Sequence, residues 1–528
     1  MELRTHDAVH LRQLVSRALR RLASARVAPI QRDDAGGARR RRLSSMFVAS
    51  APVAIFDHLR VPYEIGEGRS EAEGAPVTVV EIASGGARPS LFWPDVGRTG
   101  KVRRGVFRLG DIAIPGSIAQ ESTLHRIAES IGGLWTTEDP ILDDSGHPVA
   151  WTRRSEEGDV LLPFDPNDVI AMHWSEGYRH LGPAAMSDAR SLAVAAYYRV
   201  RPAVPRGMQI ALRRRLAKRQ SRTRFPRWPI EDNLHDFFDW LLELLTDAAG
   251  EPVPSIAPWP SGYRWAAVLT HDIDTRQGFD DIPLLRAPER ARGLRSSWNV
   301  VPQRYPIDED TLAELRAEGC EIGVHGLRHD GRDLGSERDL RSRIPAMQTA
   351  ARRWGATGFR SPATQRRWSW MPELGFAYDS SYPDTDPYEP TPGGCCSYLP
   401  FINRDMVELP ITLPQDHTLF AILEQHDASV WLEKLDHLRR RGGMALMLTH
   451  PDYARDPRIR GGYEAVLDAI VGDPTVWRPL PREVERWWRR RHGSTIESHG
   501  DGWSIQGPAA QEGEICYTSV SARVDSPT

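Results

Sequence analysis

Ala266-Ala267-Val268-Leu269 runs straight into Thr270-His271-Asp272-Ile273-Asp274. An apolar run of that length, bounded by polar residues, reads as a buried strand, and a strand that ends in a histidine and two carboxylates is how β/α enzymes present catalytic groups. The pattern repeats outward from there. Ser297 to Val301 reads as a strand, Thr311 to Gly319 as a helix closed by glycine, and Glu321 to Val324 as the returning strand. Strands Gly358 to Arg360, Val407 to Ile411, Met444 to Leu448 and Val476-Trp477 follow, with helices at Val430 to Arg441, Gly462 to Ile470 and Arg482 to Arg490. Such alternation predicts a parallel sheet, open or closed into a barrel.

The region before it is of a different kind. Residues 47–205 carry short strand-like runs, such as Val77 to Ile82 and Ile112 to Ile114, between helix-like stretches, and predict a separate mixed α/β domain without legible chemistry. Residues 206–262 hold an arginine-rich stretch through Arg213-Arg214-Arg215, Lys218 and Arg219, then a stripe of period 3.6 (Leu234, Phe237, Phe238, Leu241, Leu244, Leu245), then a Pro-rich linker from Glu251 to Gly262. The basic stretch reads as a solvated helix face; the alternative is weak contact with an anionic membrane surface or a phosphate-bearing substrate. Residues 1–46 form a basic extension with an amphipathic helical pattern (Val9, Leu11, Leu14, Val15, Leu19, Leu22) and an arginine run at Arg39 to Arg42, and Met46 is an alternative start. Residues 493–528 predict a small β tail through Trp503-Ser504-Ile505 and Ile515-Cys516-Tyr517.

With 528 residues, the chain exceeds one ordinary core. A net charge of -3 gives no reason to expect a nucleic-acid partner. Lys101, Lys218 and Lys434 are the only lysines, which fits a bacterial source with arginine-biased codons. The cysteines, Cys320, Cys395, Cys396 and Cys516, form no metal or disulfide pattern. They suit a reducing compartment. With no secretory leader pattern and no apolar run long enough for a membrane helix, the expected location is cytoplasmic.

The polar clusters carry the chemistry. Asp272 and Asp274 can serve one as a metal ligand and one as a general base, or can merely cap a turn. His325-Gly326-Leu327-Arg328-His329 follows the next strand, and two imidazoles four apart converge on one cation if Gly326 lets the chain curl. Arg360-Ser361-Pro362 offers a guanidinium that can orient a carboxylate or form a structural ion pair. Tyr378-Asp379-Ser380-Ser381 is the fourth cluster, and Leu448-Thr449-His450-Pro451 the fifth.

In this order, Thr-His-Asp-x-Asp, His-x-x-x-His, Arg-x-Pro, Tyr-Asp-Ser-Ser and Leu-Thr-His, the clusters resemble the motifs of the polysaccharide deacetylases with NodB homology, carbohydrate esterase family 4. The resemblance covers residues 263–492 and implies a distorted (β/α) barrel of about seven strands. It implies Asp274, His325 and His329 as ligands of one divalent ion, usually zinc, and Asp272 as the base that activates water. It further implies Arg360 as the group orienting Asp272, the Ala363 N–H in the oxyanion hole, His450 as the acid and Asp379 as its steering carboxylate. Tyr382 stands where the family places a substrate wall. Ile273 separates the two acids that the family keeps adjacent, so the roles of Asp272 and Asp274 stay exchangeable at this point. The third motif continues Ala363-Thr364-Gln365 without the family's Tyr-Gly, which implies a different substrate shape. The implied activity is metal-dependent hydrolysis of an N-acetyl group on a sugar or glycan precursor. A small non-sugar amide is the second reading, and a non-catalytic glycan-binding scaffold the third.

Overall fold

In the computed structural model the chain divides into Met1–Val48 and Ala49–Thr528, and the structure describes residues 53–65, 77–82, 89–96, 102–181, 206–220, 225–389, 391–499 and 502–517. The amphipathic pattern at Val9 to Leu22, the run at Arg39 to Arg42, and Met46 lie outside the described residues. Among those described, no helix is long and apolar enough to cross a membrane.

The sheet that carries the site starts from β1, Trp265–Ile273, all of whose residues are buried. A strand covered on both faces reads as a near-continuous apolar run, as Trp265 to Leu269 does, and the polar residues further along it must find partners inside the fold. β1 lies between β2 (Ser297–Val300) and β8 (Met444–Thr449), parallel to both. From β2 the sheet continues through β3 (Glu321–His325), β4 (Gly358–Arg360), β5 (Tyr378–Asp379) and β7 (Met406–Glu408), all parallel; β6 (Phe401–Asn403) runs antiparallel at the edge. With β9 (Val476–Trp477) beside β1, the sheet has nine strands. The seam between β7 and β8 is closed by loop backbone. Thr412 N and Leu413 N donate to Leu446 O at 3.2 and 3.1 Å, and Leu446 N donates to Thr412 Oγ1 at 2.8 Å. A hydroxyl thus replaces part of a ladder along this seam.

An eight-stranded sheet precedes it, in the order Tyr63–Ile65, Val77–Ile82, Ser90–Pro94, Val160–Leu161, Pro148–Ser155, Trp135–Leu142, Val102–Leu109, Ile112–Ala119. One continuous apolar core joins the two sheets. The helix Asn233–Ala249 buries the expected stripe from Leu234 to Leu245, each large side chain contributing about 1.5–3 kcal/mol on burial. It docks on both sides: Asn233 exchanges hydrogen bonds with the Ala113 backbone at 2.6 and 2.8 Å, while His235 stacks on Tyr398. Trp174 lies flat against Phe401 of β6 at 4.8 Å.

Three local expectations change. β1 does not stop before Thr270 but runs through Ile273, because Thr270, His271 and Asp272 each find partners inside the fold. The Pro-rich linker contains a strand, Pro254–Ile256, that pairs with Ile515–Tyr517 of the tail. The sequence pattern missed the helix Glu337–Trp354, whose buried residues are only Leu340, Met347, Ala351 and Trp354 and which contains Pro345.

Candidate metal centre and acid–base pair

Alternation along β1 sorts its polar residues by face. Thr270 and Asp272 point into the barrel. Thr270 Oγ1 donates to Met447 O at 2.6 Å and accepts from Arg360 Nη1 at 2.8 Å. His271 points outward into a buried network, with Nε2 2.7 Å from Glu289 Oε1 and Nδ1 2.8 Å from Thr449 Oγ1. Asp272 Oδ1 accepts from Asn299 Nδ2 at 2.8 Å and from Arg360 Nη1 at 3.2 Å. Burial works against its ionisation, but the charges of His325 and Arg360 outweigh it and hold Asp272 below the usual carboxylate range.

Asp274 follows the strand end at the barrel mouth. Its Oδ1 lies 3.1 Å from His325 Nε2 and 3.0 Å from His329 Nε2. His325 ends β3, and its Nδ1 lies 3.1 Å from Arg360 O, which turns Nε2 toward the carboxylates. No helical turn carries the chain to His329. Gly326 takes φ +61°, and a Cβ there would stand 2.4 Å from Asp333 Oδ2 and 2.6 Å from Pro362 Cδ; His329 itself has φ +53°. The bend is braced from outside: Asp333 Oδ2 accepts from Leu327 N at 3.1 Å, and Arg343, from the missed helix, holds Asp330 and Asp333 at 2.7 Å each.

This donor set suits a divalent ion. Ligand atoms about 2.0–2.2 Å from one tetrahedral centre stand roughly 3.3–3.6 Å apart, and the three donors of Asp274, His325 and His329 all lie within 4.8 Å of one another. The local charge asks for a cation as well. Burial disfavours the His325 imidazolium, yet Asp272 and Asp274 outweigh burial and raise its pKa, so the paired carboxylates demand a positive charge that either protons or a metal can supply.

His450 stands across the mouth. β1 and β8 pair His271 with Thr449, so Asp272 and His450 follow on neighbouring strands. The carboxylate that steers His450 is Asp416, which the sequence reading missed: Asp416 Oδ1 lies 2.7 Å from His450 Nδ1, and Oδ2 accepts from His450 N at 2.7 Å. Burial lowers the His450 pKa, but the Asp416 charge and hydrogen bond reverse this and push it up to about 10. Asp379, expected in that role, instead accepts from Ser381 Oγ at 2.6 Å and Ser381 N at 3.0 Å. Tyr382 is 1% exposed, packed edge-on to Trp368 and under the Arg366 guanidinium, which leaves no open wall there. Ala363 lies at the mouth, half-buried while Ser361, Pro362 and Thr364 are buried, with its backbone left-handed at φ +54°.

Fold and site together define a mixed α/β chain whose nine-stranded, mainly parallel sheet carries an Asp-His-His cluster, a buried carboxylate and a buried imidazole at the C-terminal ends of its strands. No family model and no curated protein matches the chain. Solved structures do. A candidate polysaccharide deacetylase from Mycobacterium smegmatis is 17% identical, covering 46% of this chain and 96% of its own, with TM-score 0.38. PuuE allantoinase is 17% identical over 44% of this chain and 93% of its own, with TM-score 0.36. The peptidoglycan deacetylase PdaC from Bacillus subtilis is 11% identical over 44% of this chain and 96% of its own, with TM-score 0.31.

Proposed function

We propose that residues 263–492 form a cation-dependent hydrolase that removes an N-acetyl group from a sugar or glycan precursor. Asp274, His325 and His329 hold the ion, zinc being the metal that one carboxylate and two imidazoles suit. When bound, it polarises the amide carbonyl and makes water acidic enough to attack near neutral pH. Asp272, kept ionised by His325 and Arg360, takes the proton of the attacking water. Arg360 and Asn299 act through Asp272 by holding one of its oxygens. His450, kept protonated by Asp416, delivers a proton to the departing amine, which cannot leave as an anion. The half-buried Ala363 N–H supports the oxygen that develops negative charge. The amide and sugar parts of this reading rest on the motif order and its resemblance to the deacetylases.

The observation that carries it is the placement of a depressed carboxylate and a raised imidazole at the ends of adjacent strands beside one Asp-His-His cluster. Elemental analysis and acetate release from a panel of N-acetylated sugars test it, on the wild type and on a His325→Ala/His329→Ala variant. About one divalent ion per chain, lost in the variant together with acetate release, is the expected result. Metal without acetate release moves the reading to another amide, and a wild type that binds no metal overturns it.

A further inference from the structure

The loop that presents Ala363 is held in a conformation its own residues do not favour. Ala363 and Thr364 are consecutive left-handed residues, at φ +54° and +48°. A β-branched residue there is an outlier, and the Thr364 hydroxyl, buried at 2% exposure, makes no hydrogen bond in return among the described residues. Strain of this kind persists only where the surroundings over-determine it, and it collects at functional sites.

The surroundings hold the loop at both ends. At its start, Ser361 N donates to Ser381 Oγ at 2.8 Å, and that hydroxyl donates to Asp379. At its end, Arg366 Nη1 donates to Thr364 O at 2.9 Å. Arg366 is itself fixed by a carboxylate from outside the barrel: its Nε and Nη2 donate to the two oxygens of Glu176 at 2.9 and 2.5 Å. Glu176 lies just past Ser175, the C-cap of the helix Pro166–Trp174, is buried, and also has a left-handed backbone, at φ +56°. Arg366 Nη2 further donates to Thr391 O at 3.2 Å, and Gly393 lets that segment pass where a Cβ would be 2.8 Å from Glu176 Oε1.

We infer that Glu176 is a positioning residue for the barrel's active site, acting through Arg366 to fix the Ala363-Thr364 backbone that faces the reacting carbonyl. This rests on the hydrolase reading for its chemistry and on the geometry alone for the loop. It gives the region before the barrel a part in the reaction: the turn after the helix Pro166–Trp174 supplies the anchor of the oxyanion loop. A bidentate guanidinium–carboxylate pair suits that task because it fixes direction as well as distance.

Glu176→Gln keeps the shape of the side chain and removes its charge. In the full chain, kcat for acetate release is expected to fall by about tenfold to a hundredfold, while KM and the divalent-ion stoichiometry stay at wild-type values. Hydrogen exchange of the amides in residues 361–367 is expected to speed up, and that of residues 325–329 to stay unchanged. Arg366→Lys keeps the charge but loses the fork, so the same kcat loss is expected; it decides the matter if Glu176→Gln does not fold. Unchanged kcat in a folded variant, or a loss that appears in KM or in ion content instead, overturns the inference. A wild type that binds the ion but releases no acetate moves the hydrolase reading to another amide, one that binds no ion overturns that reading, and in either case the exchange measurement still decides whether Glu176 holds the loop.

Discussion

Replacing Asp416 by Asn separates the charge beside His450 from the hydrogen bond that aims it. Asp416 is fully buried and accepts from His450 N and His417 N at 2.7 Å each, with His450 Nδ1 also 2.7 Å away. The rise of the His450 pKa from 6.5 to about 10, against burial, corresponds to something on the order of 5 kcal/mol in favour of the imidazolium. Asparagine can still accept from the ring, so the loss is the charged part of that bond, about 1.5–3 kcal/mol, or roughly one to two pH units. The sign follows from the direction of the shift. A raised imidazole is a competent acid, and contributes its full stability, below its unfolded value, and loses both as pH rises through the folded value of about 10. The cation's own charge brings this limb lower in the loaded enzyme. In a profile of kcat against pH, Asp416→Asn is therefore expected to move the alkaline limb down by about one to two units. The acid limb, set by Asp272, stays in place. An unmoved alkaline limb in a folded variant refutes the assignment of His450 as the acid held by Asp416.

Two further substitutions probe the other half of the site. Arg360→Met leaves the Asp272 carboxylate buried without its guanidinium, both residues being under 4% exposed. The expected cost is about 3–5 kcal/mol in urea unfolding, and a loss below about 1 kcal/mol contradicts it. Asp272 is depressed below its ordinary 3.8, so its stabilising contribution is present above that value and lost as pH falls through the folded one; in Arg360→Met the loss begins at higher pH. Gly326→Ala puts a Cβ against Asp333 and Pro362 at a left-handed position and displaces the bend that carries His329. Ion affinity by titration is expected to fall about tenfold to a hundredfold, and an unchanged affinity rules out the bend as the feature that brings the imidazoles together.

The parallel sheet was legible because its strands are buried on both faces. Runs such as Met444 to Leu448 have no other reading once helices alternate with them, and Asp274, His325 and His329 stand where those runs end. Asp416 was missed because nothing local marks it: it lies 34 residues before its partner and meets it only through the closure of β8 against the segment after β7. One rule did point there. Leu409-Pro410-Ile411-Thr412-Leu413 is strand-like and ends in Pro414-Gln415-Asp416, the same position that exposed the other clusters. The helix Glu337–Trp354 was hidden by its narrow apolar stripe and its proline, although Arg343 from that helix braces the histidine bend. Asp379 was misplaced for the opposite reason, since its motif was recognised while its contacts were not readable. A carboxylate beside Ser381 satisfies a short-range hydrogen bond before it can reach across the barrel.

The exchange of roles that Ile273 left open between Asp272 and Asp274 is narrowed by what each carboxylate already does. Asp274 Oδ1 lies about equally far from both imidazoles, a shared position that one cation can replace without moving any of the three. Asp272 reaches only His325, at 3.6 Å, and its other oxygen is committed to Asn299 and Arg360. A carboxylate tied on one oxygen to a guanidinium has its second oxygen free to take a proton, and the same guanidinium keeps it ionised until then. Burial penalises the charged form of Asp272 and His450 alike, so the neighbours alone keep each charged: cationic groups at Asp272, an anion at His450. Pushing two pKa values apart within one pocket is how a fold holds base and acid ready at the same pH. Inserting Ile273 is compatible with that arrangement because it sets Asp272 inside the strand, where Arg360 reaches it, and Asp274 beyond the strand, where the histidines do.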